Sequence, residues 1–291
     1  MTFEDFLQNV KSAVDQKLPD GISLQYRNIR KNNEVSLTGA CISRPENGKS
    51  CQVIYMDPLY RMMEDDREIR LIADLILHQI ETPVPERIQK IRVESYEDVR
   101  DSIIVRLISL DRNRNRLKNL VYREFLDMAV SCCILFSGPE TGWGLTEISR
   151  EMAEKWGVTE EELYSRAMEN MPRLMPDTLR TLREAALLCS EEDSSTDHLY
   201  VLSNESAYCG AAAILYTDKL AALAEKYETD LYLMPSSLHE MILVPDLEIG
   251  EEFLRSSLKS VNSTAVPGED ILTDSLYLYR RESGLIELVP D

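Results

Sequence analysis

The chain is short of positive charge, of histidine and of long apolar runs, and each shortage excludes a class of function. Lys and Arg number 32 against 51 Asp and Glu, a formal net charge of −19 over 291 residues. Phosphate backbones are held mainly by Lys and Arg, and anionic bilayers attract the same side chains. Neither nucleic acid nor a membrane surface is therefore an expected partner. The three histidines, His78, His198 and His239, show no H-E-x-x-H or similar ligand spacing, so no metal is expected. The longest apolar runs, such as 128–136, fall far short of the roughly 20 residues that span a bilayer. Phosphate-cradling loops are missing too, in both the G-x-x-x-x-G-K-[ST] and the G-x-G-x-x-G form. Gly142-Trp143-Gly144 is a fragment that reads as a tight turn, and no cofactor is expected.

What is present is ordinary for a globular protein: 44% hydrophobic and 29% charged residues, enough to build a sizeable core. The N-terminal MTFEDFLQNVKSAV lacks the charged and apolar regions of a secretory signal. The six cysteines, at 41, 51, 132, 133, 189 and 209, form no C-x-x-C pair and mostly lie in apolar segments. In a cytoplasmic chain they are expected as reduced core thiols.

Periodicity divides the chain. Phe3, Phe6, Leu7, Val10 and Val14 recur on one face of a helix over 2–17. Strand-like runs follow at 22–30, 34–43 and 51–56, a meander with turns at 31–33 and 45–49. A stripe from Ile69 to Ile80 makes a second helix, with His78 expected to be partly buried beside it. The stretches 102–110 and 125–136 read as strands, and Gly138, Pro139, Gly142 and Gly144 as a turn. Thr159-Glu160-Glu161-Glu162 has capping-box spacing, opening a helix that runs to Pro172, with another expected over 177–188. The acidic, Ser-rich 190–197 reads as a loop. Beyond it, strands are expected at 199–203, 209–216, 231–234, 241–244, 275–280 and 285–289. Helices are expected after Thr217 and over 249–261. The absence of a βαβ rhythm favours an α+β fold with mixed or antiparallel sheets, in two subdomains, 1–137 and 138–291.

Two segments carry candidate chemistry. Pro235-Ser236-Ser237-Leu238-His239-Glu240 places two hydroxyls, an imidazole and a carboxylate between two strands. A serine nucleophile needs a base within hydrogen-bond reach and a group to orient that base. Against this, alternate residues of an extended chain point to opposite faces, and no G-x-S-x-G elbow surrounds either serine. The competing reading is a polar hairpin held by side-chain-to-backbone bonds. The second segment, 100–123, holds seven cations against two acids, and Arg112, Arg114 and Arg116 alternate within it. It reads either as a strip for an acidic partner or as internal counter-charge.

Four phrases together carry a resemblance: Met1-Thr-Phe-Glu-Asp-Phe6, Glu124-Phe-Leu-Asp-Met-Ala129, Gly157-Val-Thr-Glu-Glu-Glu-Leu163 and Leu233-Met-Pro-Ser-Ser-Leu-His-Glu240. In these the chain resembles, over nearly its full length, an uncharacterised bacterial family of unknown function found in anaerobic Gram-positive species. A more remote likeness is to another uncharacterised family sharing the W-G-x-T-E-E-x-L block. The resemblance implies a bacterial, cytoplasmic, self-contained fold and brings no activity with it. The expected function is a non-enzymatic binding or regulatory role toward an unknown protein or small-molecule partner. The alternative is a small hydrolase using Ser236 or Ser237, His239 and Glu240.

Overall fold

The computed structural model describes residues 1–43, 51–81, 93–136, 144–185, 198–247 and 249–290. They form two units, Met1–Ile91 and Arg92–Asp291. The break precedes the expected one at 137/138 because a strand pairing spans that point: β6 (Met128–Leu135) pairs with β7 (Leu145–Glu147). The expected turns at 45–49 and 138–142 and the loop at 190–197 lie outside the described residues.

In the first unit, α1 (Phe3–Asp15) starts at a capping box, with the Asp5 amide donating to Thr2 Oγ1 at 3.1 Å. β1 (Ser23–Arg30), β2 (Ser36–Ser43) and β3 (Cys51–Tyr55) form the antiparallel meander, in the order β1-β2-β3. α2 (Met56–Met62) and α3 (Glu68–Glu81) follow. Phe6, Val10 and Val14 of α1 meet Ile72, Ala73, Ile76 and Ile80 of α3 over Leu24, Ala40 and Ile42 of the sheet. The period-3.6 stripes of the helices thus close on the period-2 face of the strands.

The second unit holds two sheets. β4 (Ile103–Ser109) and β5 (Tyr122–Phe125) flank β6, and β7 extends the β5 side. The strand expected over 125–136 is β6 over 128–135, preceded by a hairpin turn from β5 at Leu126, where φ is 57°. Helix α4 (Arg150–Trp156) ends at Gly157, which takes the left-handed conformation (φ 68°) that ends many helices. α5 (Glu160–Leu174) then begins at the Thr159 box, where the Glu162 amide donates to Thr159 Oγ1 at 3.2 Å. On its buried face, Asn170 Nδ2 donates to the carbonyls of Arg100 (2.8 Å) and Ile103 (3.0 Å), fastening α5 to the start of β4. Asn170→Leu strands both acceptors, and the second unit should lose about 1–3 kcal/mol, read as a lower urea midpoint.

The larger sheet has the order β13-β12-β10-β11-β9-β8, with every pairing antiparallel. Its strands are β8 (Asp177–Thr181), β9 (Tyr200–Asn204), β10 (Leu231–Ser237), β11 (Glu240–Pro245), β12 (Tyr277–Tyr279) and β13 (Ile286–Leu288). Both faces are covered. Leu231, Leu233, Met241 and Leu243 enter the main core, while Tyr232 and Val244 meet Leu254 in a second cluster beneath α7 (Glu251–Thr264). Burial on both faces is why these strands read as unbroken apolar runs.

Two expectations are corrected here. Residues 177–188 are expected to be helical, yet Asp177–Thr181 is edge strand β8, paired with β9, and among the described residues of that range only Leu182–Ala185 makes a helical turn. Ladder bonds from β9 outweigh a local helical period. Residues 209–216 were expected to be strand, yet Gly210–Leu215 is a buried 3₁₀ segment packed on β4, β9 and β11. Small side chains at Ala211, Ala212 and Ala213 permit that close approach. α6 (Asp218–Tyr227) follows, and Thr217 precedes it without a side-chain capping bond.

Candidate functional site

The hairpin joining β10 to β11 turns at Leu238 and His239, with Ser237 opposite Glu240 and an irregularity between Pro235 and Ser237. Pro235, which has no amide to give a ladder, pairs with Met241 just before this irregularity. The six candidate residues are thus mostly strand, and the tip is two residues long.

Each polar group of this tip has a partner. Ser236 Oγ donates to Glu240 Oε1 at 3.1 Å, and Ser237 Oγ accepts from the His239 amide at 3.0 Å. The His239 carbonyl accepts from Ser203 Oγ at 2.7 Å, while His239 Nδ1 accepts from the Cys209 amide at 3.1 Å. Because Nδ1 accepts, the neutral ring carries its proton on Nε2, which stands 3.6 Å from Asp270 Oδ1. The Leu238 amide donates to the Asp270 carbonyl at 2.8 Å, and the Ala211 amide donates to the Leu238 carbonyl at 3.2 Å. Among these bonds neither Ser236 nor Ser237 reaches the imidazole.

The partner loop is shaped for this contact. Asn204 Oδ1 accepts from Ser206 Oγ and the Tyr208 amide, which curls residues 204–208 back on themselves. Ala207 (φ 50°) and Cys209 (φ 53°) are both left-handed, so the Cys209 amide turns toward His239. Gly210 comes next for want of space: a Cβ there would lie 2.2 Å from Ser203 Oγ and 2.4 Å from the His239 carbonyl oxygen. Burial pushes the Cys209 thiol up to about 11, against the pull of Arg106, and burial pushes Tyr208 up to about 12. Both groups stay protonated at neutral pH. Cys41 is buried, and Cys132, Cys133 and Cys209 are free and buried.

The basic stretch does not form one strip. Arg112 pairs with Asp274 at 2.8 Å, Arg114 with Asp111 at 2.7 Å, and Arg116 Nε donates to Glu147 Oε2 at 2.6 Å. Arg106 donates to the other oxygen of the same carboxylate, and Arg123 pairs with Glu161. The side chains of Arg106 and Glu147 are each 8% exposed, so a carboxylate shared by two guanidiniums lies inside the second unit.

Of the other histidines, His78 lies on the exposed face of α3, not half-buried as expected, and His198 is exposed ahead of β9. Among the described residues no group of three or more His, Cys, Asp or Glu is placed to hold a metal ion. Nor is any described helix long and apolar enough to cross a membrane. An open groove of about 640 Å³ at the end of α6 is lined by Glu225, Glu228, Thr229, Asp230, Arg281 and Glu282, which include none of the candidate residues.

One cluster gave no sequence signal. Tyr200, Lys226, Tyr227 and His198 meet in a row of hydrogen bonds where the end of α6 meets the start of β9. The neighbours Lys226 and Tyr227 lie more than twenty positions from Tyr200, and only the docking of the helix joins them.

No curated protein and no solved structure matches the chain. A family match covers residues 3–281, from the first turn of α1 to just past β12, and so includes both units and the His239 hairpin. The chain belongs to DUF5688, a family of unknown function.

Proposed function

We propose that this chain is a non-enzymatic binding or regulatory protein of the bacterial cytoplasm, with a protein or small molecule as its partner. The use made of His239 supports this reading. A general base must hold a free nitrogen lone pair against the proton it takes, and the Nδ1 lone pair of His239 is occupied by the Cys209 amide. Its carbonyl and amide are equally engaged, with Ser203 and Ser237, so the residue clamps two loops together. The net charge of −19 favours partners other than nucleic acid or anionic lipid.

Fluorophosphonate labelling of the full chain separates this reading from a serine hydrolase. No adduct is expected in the wild type. An adduct that disappears in Ser236→Ala or Ser237→Ala would overturn the proposal and make the hairpin a catalytic site.

A further inference from the structure

Tyr200, the first residue of β9, is buried, 7% exposed. Lys226 Nζ donates to Tyr200 Oη at 2.8 Å, and Tyr227 Oη lies 2.8 Å from the same oxygen. His198 Nδ1 continues the row, 3.4 Å from Tyr227 Oη. The Lys226 ammonium also sits over both rings, 5.2 Å from the Tyr200 centroid and 5.1 Å from that of Tyr227. These cation–π contacts hold the cation in place. Lys226 and His198 are exposed and Tyr227 is half-buried, so solvent reaches the row from the His198 end.

An ammonium and a hydroxyl converging on one phenol oxygen stabilise its anion. At Tyr200 burial pushes the phenol up and the Glu184 charge adds to that, but the Lys226 and Tyr227 hydrogen bonds and the Lys226 charge prevail, and it titrates below the ordinary tyrosine value. Tyr227 moves the other way, raised by burial and by donating to Tyr200. Burial likewise raises Tyr26, Tyr208, Tyr216, Tyr232 and Tyr277. The pair therefore divides its labour: Tyr227 keeps its proton, and Tyr200 gives its proton up more readily.

We propose that Tyr200 is a nucleophilic phenol, a modification site that accepts a sulfonyl, acyl or phosphoryl group from an electrophilic donor. In that step the Tyr200 proton passes to water. Tyr200 Oη then forms the new bond to sulfur, carbon or phosphorus, and the leaving group departs with the electron pair of the bond that breaks. Lys226 holds the phenolate until the attack. This site goes beyond the binding reading and does not depend on it, since the modification is done to the protein.

The test is timed labelling of the full chain with an aryl sulfonyl fluoride, followed by proteolysis and mass spectrometry. Tyr200 should gain the adduct first among the 13 tyrosines. In Lys226→Met, checked for folding by circular dichroism, the rate at Tyr200 should fall about three- to tenfold, following the loss of phenolate. Ultraviolet titration gives a second measurement: one phenol should ionise ahead of the others, and that step should vanish in Tyr200→Phe. Even labelling across the tyrosines, preferential labelling of Lys226 or Tyr227, or an unchanged Tyr200 rate in folded Lys226→Met would each overturn the proposal.

Discussion

Glu147→Ala is expected to destabilise the second unit by about 3–5 kcal/mol, the cost of leaving a buried charge without its partner. Glu147 gives one oxygen to Arg106 and the other to Arg116. Arg116 is 29% exposed at its side chain and can turn to water, whereas Arg106, at 8%, has no such exit. The penalty thus comes mainly from Arg106. Replacing both members of the buried pair, as Arg106→Met with Glu147→Leu, should recover most of the loss, because the desolvation cost disappears with the charges. Urea unfolding followed by tryptophan emission measures this. Trp156 belongs to the second unit, so the signal is not blurred by separate unfolding of the first. A wild-type midpoint in Glu147→Ala would mean that Arg106 finds other compensation.

Gly210→Ala is expected to cost about 3 kcal/mol, at the upper end for overpacking, and to release the His239 clamp. The added methyl would lie 2.2 Å from Ser203 Oγ, 2.4 Å from the His239 carbonyl oxygen and 2.8 Å from the Asn204 nitrogen. A hydroxyl can rotate away, but the two backbone atoms cannot move without opening the hairpin or the end of β9. Ser203→Ala should therefore rescue little of the defect. Hydrogen exchange supplies the local readout: the Cys209 and Ala211 amides, which donate to His239 Nδ1 and to the Leu238 carbonyl, should lose protection before the rest of the unit. Native protection at both amides in Gly210→Ala would show that the loop absorbs the methyl elsewhere.

Both sites rest on long-range pairings, and this marks the boundary of what could be read from the sequence. The Thr159 capping box was legible because its two bonds join residues three apart. The meander of the first unit and the β10–β11 hairpin were legible for a similar reason: short strand-like runs with turn residues between them specify pairing with the next strand. At 177–181 and 210–215 local preference pointed the wrong way. There the ladder to β9 and the room left by three alanines against β4 outweighed a helical and a strand-like pattern.

The polar groups follow the same rule. Serines, a histidine and a glutamate within six residues invited a catalytic reading, but the fold turns the imidazole to the Cys209 amide and gives the serines to Glu240 and the His239 amide. Alternating arginines invited a cationic strip, but their acids come from positions as distant as Asp274. The sequence by itself determined the α+β class, the acidic balance, the capped helices and most of the strands, since each depends on composition or on residues within one or two turns of each other. The tertiary structure alone decided where the units divide, what His239 holds, how Arg106 is neutralised and that Lys226 stands on Tyr200. A charge or hydroxyl takes its character from whatever packing brings within about 4 Å, and packing joins residues that the chain keeps far apart.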